Sequence, residues 1–395
     1  MPEPEKLWTR DFILTDVTGF LLFFSFYYLM STLQYYVLHI GGNLSSMGLV
    51  MGVFTIIAVV LRPVTGNLLD TKGRRIVLLV GLSIIVLSFL GYNLAANVWL
   101  LVLVRLIHGI GWAFATTATS TIIADLVPPR RRGEAMGYYS NFMDVAMAAG
   151  PFVGVLLLQF GGFNTVFIAA ALTLAPALVT GWVVKERYRP AAAPVRRTFF
   201  SRPALLPALI MLTGSVGYGS VVTYIPTFVQ ERGITGRFLG VSEYAFFYVV
   251  YALTLLLTRG PWGRLSDRYG RQAAIIPGLL FLSAGTLVLA FTRTFPLLLV
   301  AGVVYAAGFG SAQPAIMAWS VDRAGASGWG AAVGTFFAAF DGGIGIGALL
   351  MGPLAQHYSY TLVYGSAGVL TLLGFVLYLA VHLHSLKVKR AGGIP

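Results

Sequence analysis

Long apolar runs dominate this 395-residue sequence, and most are long enough to cross a membrane as a helix. A spanning helix needs about 20 mainly apolar residues, and lipid offers no partners to an open sheet edge, so such runs predict helices. Only 10% of the residues are charged, against about 25% in soluble domains. The sequence therefore predicts an all-α membrane protein with about twelve transmembrane helices. The predicted helices are 12–38, 43–65, 76–95, 98–127, 134–159, 163–185, 203–230, 238–258, 273–292, 295–321, 329–354 and 361–384.

One short charged stretch between two apolar runs occurs twice, 197 positions apart. Residues 66–75 read GNLLDTKGRR and residues 263–272 read GRLSDRYGRQ, so Gly, Asp, Gly and Arg recur in register. At the same offset Asp125 matches Asp322, and Asp144 matches Asp341. Three pairs of aspartates at one offset, among only 14 acidic residues, indicate a duplication. Because both copies occupy loops of the same parity, we expect two pseudo-symmetric six-helix bundles in the same orientation.

The duplication predicts a domain at 1–185 and another at 203–395, the second ending in a short cytoplasmic tail. The intervening segment, 186–202, is rich in Pro, Ala and Arg, which predicts a solvated cytoplasmic linker or a contact with lipid phosphates. Lys and Arg cluster in alternate loops, the positive-inside pattern. This pattern predicts a multi-pass plasma-membrane protein with both termini in the cytoplasm. It also accounts for the net charge of +13 without nucleic-acid binding.

Enzymatic chemistry finds little support in the sequence. There is no cysteine, no Gly-x-x-x-x-Gly-Lys-Ser/Thr phosphate loop, and the five histidines are scattered. We therefore expect neither an enzyme nor a cofactor or metal site. A monomer suffices for the predicted architecture.

Three segments together resemble the major facilitator superfamily, and the resemblance covers essentially the whole chain. They are the 66–75 stretch, the run RLIHG at 105–109 on helix 4, and the run GPFVG at 150–154 on helix 5. The resemblance implies a secondary active transporter that works by alternating access. The third segment is similar to a motif that this family associates with proton-driven efflux. Val155 and Ala146 stand where that motif usually has Gly, which weakens the efflux assignment but not the fold.

The repeated stretch favours a cytoplasmic latch in each half. Gly66 and Gly73 permit tight turns and close helix approach, and Asp70 suits a helix N-terminus. Arg74 can pair bidentately with a carboxylate, for which Asp125 is the natural partner. The alternative is a tight turn that carries positive-inside charge without switching. The predicted latch residues are Gly66, Asp70, Gly73, Arg74, Arg75 and Asp125, then Gly263, Asp267, Gly270, Arg271 and Asp322.

Ionisable residues inside the predicted helices are candidates for proton coupling. Arg105 must face the bundle interior or a water-filled cavity; the resemblance implies a coupling role, and a bond to backbone carbonyls or Asn141 is the alternative. Asp144 and Asp341 match each other, which suggests a shared structural role. Asp16 has no acidic counterpart at 213 or 214, which favours a proton-coupling role, with simple solvation near the helix end as its rival.

The resemblance implies that helices 1, 4, 7 and 10 line the substrate cavity. An aromatic, mostly apolar cavity suits an amphipathic organic solute, although such rings also pack against lipid or neighbouring helices. We expect Gly150, Pro151 and Gly154 to serve helix packing. The predicted cavity residues are Tyr28, Gln34, Tyr35, His108, Asn141, Tyr218, Tyr224, Tyr305 and Gln313.

The resemblance, together with these patterns, implies a secondary active transporter of a small organic solute, coupled to protons and working as an exporter. Uptake of a metabolite or sugar by symport, and uniport, remain open within this class. A receptor or scaffold on the same fold is the alternative from another class.

Overall fold

A computed structural model describes residues 7–128, 131–185, 201–235, 243–325 and 329–390. Residues Arg132–Val183 are helical except at Gly162, whose φ of 71° and ψ of −175° separate α5 (132–161) from α6 (163–183). Two short 3₁₀ turns lie at Tyr92–Leu94 and Arg202–Ala204. The other helices are α1 Arg10–His39, α2 Leu44–Lys72, α3 Arg74–Gly91, α4 Val98–Leu126, α7 Leu205–Glu231, α8 Glu243–Tyr269, α9 Gln272–Phe291, α10 Phe295–Ala324, α11 Trp329–His357 and α12 Tyr360–Arg390.

These helices confirm the predicted all-α fold with about twelve helices. Ten stretches of the described chain are long and apolar enough to cross a membrane, and one of them contains both α5 and α6. Helix α8 falls outside that count because its second half, 259–269, carries three arginines and an aspartate.

The chain forms two compact units, residues 1–197 and 198–395. The first contains α1–α6 and the second α7–α12. The boundary falls within 186–200, so the predicted linker lies outside the described residues except at Ser201 and Arg202.

Helices α2 and α8 continue well beyond their predicted ends at 65 and 258. They end at Lys72 and Tyr269, so most of each repeated stretch is helix rather than loop. Hydropathy marks where the apolar segment stops, whereas backbone hydrogen bonding can continue into water. The chain turns only at Gly73 and Gly270, whose φ values of 94° and 89° favour glycine.

The predicted role of Gly66 in a tight turn and in close helix approach is wrong, and its repeat, Gly263, has the same surroundings. Both lie inside helices, and a Cβ built at either would meet no atom of the described chain within 4 Å. Each occupies open space one helical turn before its aspartate.

Close helix packing occurs instead at glycines of α5 and α11. A Cβ at Gly154 would overlap the carbonyl oxygen of Tyr28 on α1, and one at Gly150 would lie 3.2 Å from the Tyr28 nitrogen. In the second unit, a Cβ at Gly347 would overlap the carbonyl oxygen of Val216 on α7. Small residues let membrane helices approach closely. Helices α1 and α5 therefore pack as α7 and α11 do, which gives the Gly150–Gly347 match a structural reason.

Candidate functional site

In the first unit, one arginine joins the ends of three helices. Arg74, at the start of α3, places Nη1 2.7 Å from Asp70 Oδ1 on α2 and Nε 3.1 Å from Asp125 Oδ2 on α4. Arg74 is only 3% exposed, so both charge-assisted hydrogen bonds are shielded from solvent. The neighbouring Arg75 donates from Nη2 to the carbonyl oxygen of Val184, 2.5 Å away, which ties the end of α6 to the same cluster.

The predicted position of Asp70 at a helix N-terminus is wrong. Asp70 lies near the C-terminal end of α2, and α3 begins after Gly73 with no side-chain cap from the described residues. The carboxylate is oriented by Arg74, four residues on, across the Gly73 turn.

The second unit repeats this geometry in a more solvated setting. Arg271 Nη1 lies 2.8 Å from Asp267 Oδ1, and Arg271 Nε lies 2.7 Å from Asp322 Oδ2. The hydrogen bond that Arg271 donates to Asp322 is the main cause that raises the pKa of the Arg271 guanidinium above its ordinary value. The side chain of Arg271 is 30% exposed and those of Asp267 and Asp322 are 74% and 49% exposed. Water and salt therefore weaken these ion pairs more than those around Arg74.

Arg105 is completely buried in the first unit. Its Nε donates to the carbonyl oxygen of Val50 at 3.0 Å, and its Nη2 lies 3.6 Å from the sulfur of Met30. The guanidinium carbon stands 4.0 Å from the centre of the Phe54 ring, a cation–π geometry. No carboxylate of the described chain pairs with Arg105, and its Nη1 has no hydrogen-bond partner there. These contacts match the backbone-carbonyl alternative, and the exposed Asn141 takes no part in them.

His108 lies one turn further along α4 in an aromatic cage. Its Nδ1 is 2.8 Å from the hydroxyl of Tyr92, and its ring lies 5.0 Å from Phe54 and 5.1 Å from Phe89. Nε2 is buried and has no partner among the described residues. A second positive charge here would face Arg105 in an apolar setting, so the cage suits a neutral imidazole.

Asp16 is 1% exposed on α1, and neither carboxylate oxygen has a hydrogen-bond partner in the described chain. Gly19 and Phe23 share its helix face. A Cβ at Gly19 would lie 2.5 Å from the ring of Tyr139 on α5, and the Phe23 ring lies 6.4 Å from that ring and 5.0 Å from Trp112 on α4. Asp16 therefore lies beside an aromatic contact of α1 with α4 and α5, and burial overturns the solvated alternative.

The two matched aspartates give less information. Asp341 is half-buried on α11. Asp144 lies on α5, and its side chain is outside the described residues.

Two predicted cavity residues bind other helices of their own unit. The hydroxyl of Tyr28 donates to Thr173 Oγ1 on α6 at 3.2 Å, and that of Tyr224 donates to the carbonyl oxygen of Ala348 on α11 at 2.6 Å. Both tyrosines are at most 1% exposed. Their predicted role in facing substrate is corrected to one in packing, because the hydroxyl finds its acceptor inside the bundle.

The remaining cavity candidates differ in their surroundings. Gln313 accepts a hydrogen bond from Arg259 on α8 at 2.8 Å. Tyr218 stacks 4.8 Å from Phe309, Gln34 and Tyr305 are fully buried, and Tyr35 is half-buried. In the packing motif, the Pro151 carbonyl oxygen accepts from Ser31 Oγ on α1 at 3.1 Å.

The sequence comparison decides the family. A model of the Major Facilitator Superfamily matches residues 16–249 and 237–393. The chain belongs to the major facilitator superfamily. It is therefore a multi-pass membrane transporter of small molecules and not an enzyme, as predicted.

Relatives within the major facilitator superfamily include a protein named for multidrug resistance. The chain is 28% identical over 306 residues to the multidrug resistance protein MdtG of Escherichia fergusonii, covering 73% of each protein. It is 24% identical over 355 residues to an uncharacterised MFS-type transporter of Methanocaldococcus jannaschii, covering 87% of this chain and 90% of that protein.

Solved structures of other transporters share the fold. The nucleoside transporter NupG matches with a TM-score of 0.75 at 14% identity, covering 94% of this chain and 99% of that one. A POT family transporter in complex with a thioalcohol-conjugated peptide matches with a TM-score of 0.79 at 15% identity, covering 98% of each chain. At these identities the match shows the major facilitator fold alone.

Sequence reasoning missed several residues that surround the site. The sequence does not identify Tyr92 and Tyr139, because a single tyrosine carries no sequence signal for the side chains that it contacts. Arg62 could have been identified from the sequence, because it matches Arg259 at the same 197-residue offset that relates the two repeated stretches. Arg62 lies on α2, which ends before the turn at Gly73, and Arg259 lies on α8, which ends before the turn at Gly270.

Proposed function

We propose that this protein is a proton-coupled exporter of small organic molecules that acts as a monomer in the plasma membrane. Membership of the transporter family and the names of relatives such as the multidrug resistance protein MdtG support export. The clustering of Lys and Arg in alternate loops supports cytoplasmic placement of both termini and of the turns at Gly73 and Gly270.

The observation that carries the proposal is the burial of Asp16 without a hydrogen-bond donor. An ionised carboxylate in such a place costs far more than a neutral carboxylic acid, because nothing replaces its water. The described conformation therefore suits a protonated Asp16, and a conformation that hydrates it would suit the ionised form. Proton binding then biases the conformational equilibrium, which is the thermodynamic requirement for coupling.

The arginine clusters support a role in the same conformational change. Each latch joins helix ends of its own unit, through Arg74 in the first and Arg271 in the second. We propose that both latches hold when the cytoplasmic side is shut and break as the halves rock.

Proteoliposomes with an imposed pH gradient test the proposal directly. We expect organic cations and neutral drugs from a broad panel to accumulate when the lumen is acidic, with proton release from the lumen. Asp16→Asn should abolish gradient-driven accumulation while leaving counterflow exchange of the same substrate intact. The matched control is Asp11→Asn, a half-buried acid five residues earlier on α1, which should behave as the wild type. Gradient-driven accumulation by Asp16→Asn would overturn the proposed coupling.

The same vesicles separate the alternatives. An uptake symporter of a metabolite or sugar would accumulate substrate when the outside is acidic, and a uniporter would respond to neither polarity. Ligand binding without flux under any gradient would point to a receptor.

A further inference from the structure

A groove of about 800 Å³ opens on the second unit at the ends of α9 and α12 that lie far from the Gly270 turn. Phe291 and Tyr358 border it and are 69% and 75% exposed. Its size falls within the range of roughly 300–1,000 Å³ typical of ligand sites. Its lining is mostly apolar, with Leu362 and Val369 on α12. An exposed apolar groove of this kind on a membrane-spanning unit faces lipid.

Positive charge lies at the edge of this groove. Arg232, at the end of α7, donates from Nη2 to Thr361 Oγ1 at 2.6 Å, and Thr361 lines the groove. Arg232 is half-buried and forms no ion pair with a carboxylate of the described chain. Arg293 is exposed and follows Phe291 by two residues.

This charge is unusual for its side of the protein. The sequence places only Arg232, Arg237 and Arg293 in the loops opposite the basic ones, as the positive-inside pattern requires. Of these arginines, Arg232 contacts the lining residue Thr361, and Arg293 follows the lining residue Phe291 by two positions. Aromatic side chains such as Phe291 and Tyr358 are not lipid-specific, but together with arginines that form no ion pair with a carboxylate of the described chain they complement an amphipathic anion.

We propose that this groove binds one anionic phospholipid. An acyl chain would lie along Phe291, Leu362 and Val369, and the phosphate would bind Arg232 and Arg293. The apolar lining excludes a hydrophilic solute, and the cationic edge selects an anionic headgroup over a zwitterionic one. The site is independent of the proposed transport mechanism.

Native mass spectrometry of the full chain in detergent, titrated with phosphatidylglycerol or phosphatidylethanolamine, tests this site. Wild type should bind one phosphatidylglycerol at least about tenfold more tightly than phosphatidylethanolamine, the scale of one hydrogen bond to a charged group. Gly365→Phe should abolish this binding without unfolding the unit, because Gly365 lines the groove and a Cβ there meets no atom within 4 Å of the described chain. Gly334→Phe on α11, equally open, is its control.

The charged edge needs its own variants. Arg232→Gln should weaken phosphatidylglycerol binding about tenfold and leave phosphatidylethanolamine unchanged. Arg10→Gln, an exposed arginine at the start of α1, should change neither. Equal binding of the two lipids by wild type, or wild-type binding by both Gly365→Phe and Arg232→Gln, would overturn the proposal. Dimers that Gly365→Phe disrupts, in place of lipid adducts, would assign the groove to a second copy of the chain and overturn it too.

Discussion

Neutralising one aspartate in each latch should have unequal effects, because the two latches differ in burial. Asp70→Asn and Asp267→Asn remove the same charge from the same position of the two units. Arg74 is 3% exposed, however, while the Arg271 side chain is 30% exposed and that of Asp267 is 74% exposed. The lost interaction is therefore shielded in the first unit and hydrated in the second.

The burial of each pair sets the size of the effect. A hydrogen bond to a charged group contributes about 1.5–3 kcal/mol, and we assign this range to the bond between Asp70 and Arg74. An exposed ion pair contributes about 0.2–1 kcal/mol, which suits Asp267 and Arg271. For a unit of about 200 residues, 1 kcal/mol corresponds to roughly 2–4 °C in Tm. Asp70→Asn should therefore lower Tm by roughly 3–12 °C and Asp267→Asn by less than about 4 °C.

Thermal unfolding of the purified protein, measured with transport in proteoliposomes, checks this prediction. We expect Asp70→Asn to lower both Tm and the transport rate, and Asp267→Asn to keep most of both. Raising the salt concentration from about 0.05 to about 0.5 M should reduce the difference in Tm between the wild type and Asp267→Asn, because salt screens exposed ion pairs. Equal Tm losses would refute the burial argument. Normal transport by normally expressed Asp70→Asn would refute the latch itself.

Three further substitutions test the packing and the buried polar groups. Gly154→Leu should prevent normal folding, seen as loss of membrane expression, because its side chain would overlap the Tyr28 carbonyl oxygen. Gly66→Ala should be neutral or raise stability by up to about 1 kcal/mol in thermal unfolding, because the position is helical and open. His108→Gln should leave the pH dependence of transport unchanged, because Arg105 nearby disfavours a charged imidazole; a shifted profile would make His108 a proton carrier.

Features that depend on local backbone chemistry were predictable from the sequence. Apolar run length gave the helices, and glycine at positions 73 and 270 marked the turns because few other residues adopt positive φ. The pairing of Arg74 with Asp125 was predictable because Asp125 lies at the end of helix 4 on the same side of the membrane as the repeated stretch. The helix ends were missed, because charged side chains are compatible with helix once the backbone satisfies its own hydrogen bonds.

Side-chain direction was less predictable. Every aromatic residue of α1 is compatible with lipid, a neighbouring helix or a cavity, and hydropathy does not separate these environments. Tyr28 donates to Thr173 because a buried hydroxyl needs an acceptor. That acceptor lies 145 residues away, on a helix whose rotation about its axis the sequence does not determine. The lack of a hydrogen-bond donor for Asp16 among the described residues also depends on the side chains of every neighbouring helix, which the sequence does not place.

The two halves have kept their framework and diverged in their buried charge. Gly73, Arg74 and Gly150 recur at 270, 271 and 347, where turns, latches and close packing demand them. The buried ionisable positions 16, 105 and 108 of the first unit correspond instead to a threonine, a glycine and a tyrosine at 213, 302 and 305. A charge inside a membrane protein is costly and persists where function uses it. Proton-linked chemistry is therefore expected in the first unit, and Asp16→Asn is its decisive test because the second unit has no carboxylate at the matching position to replace it.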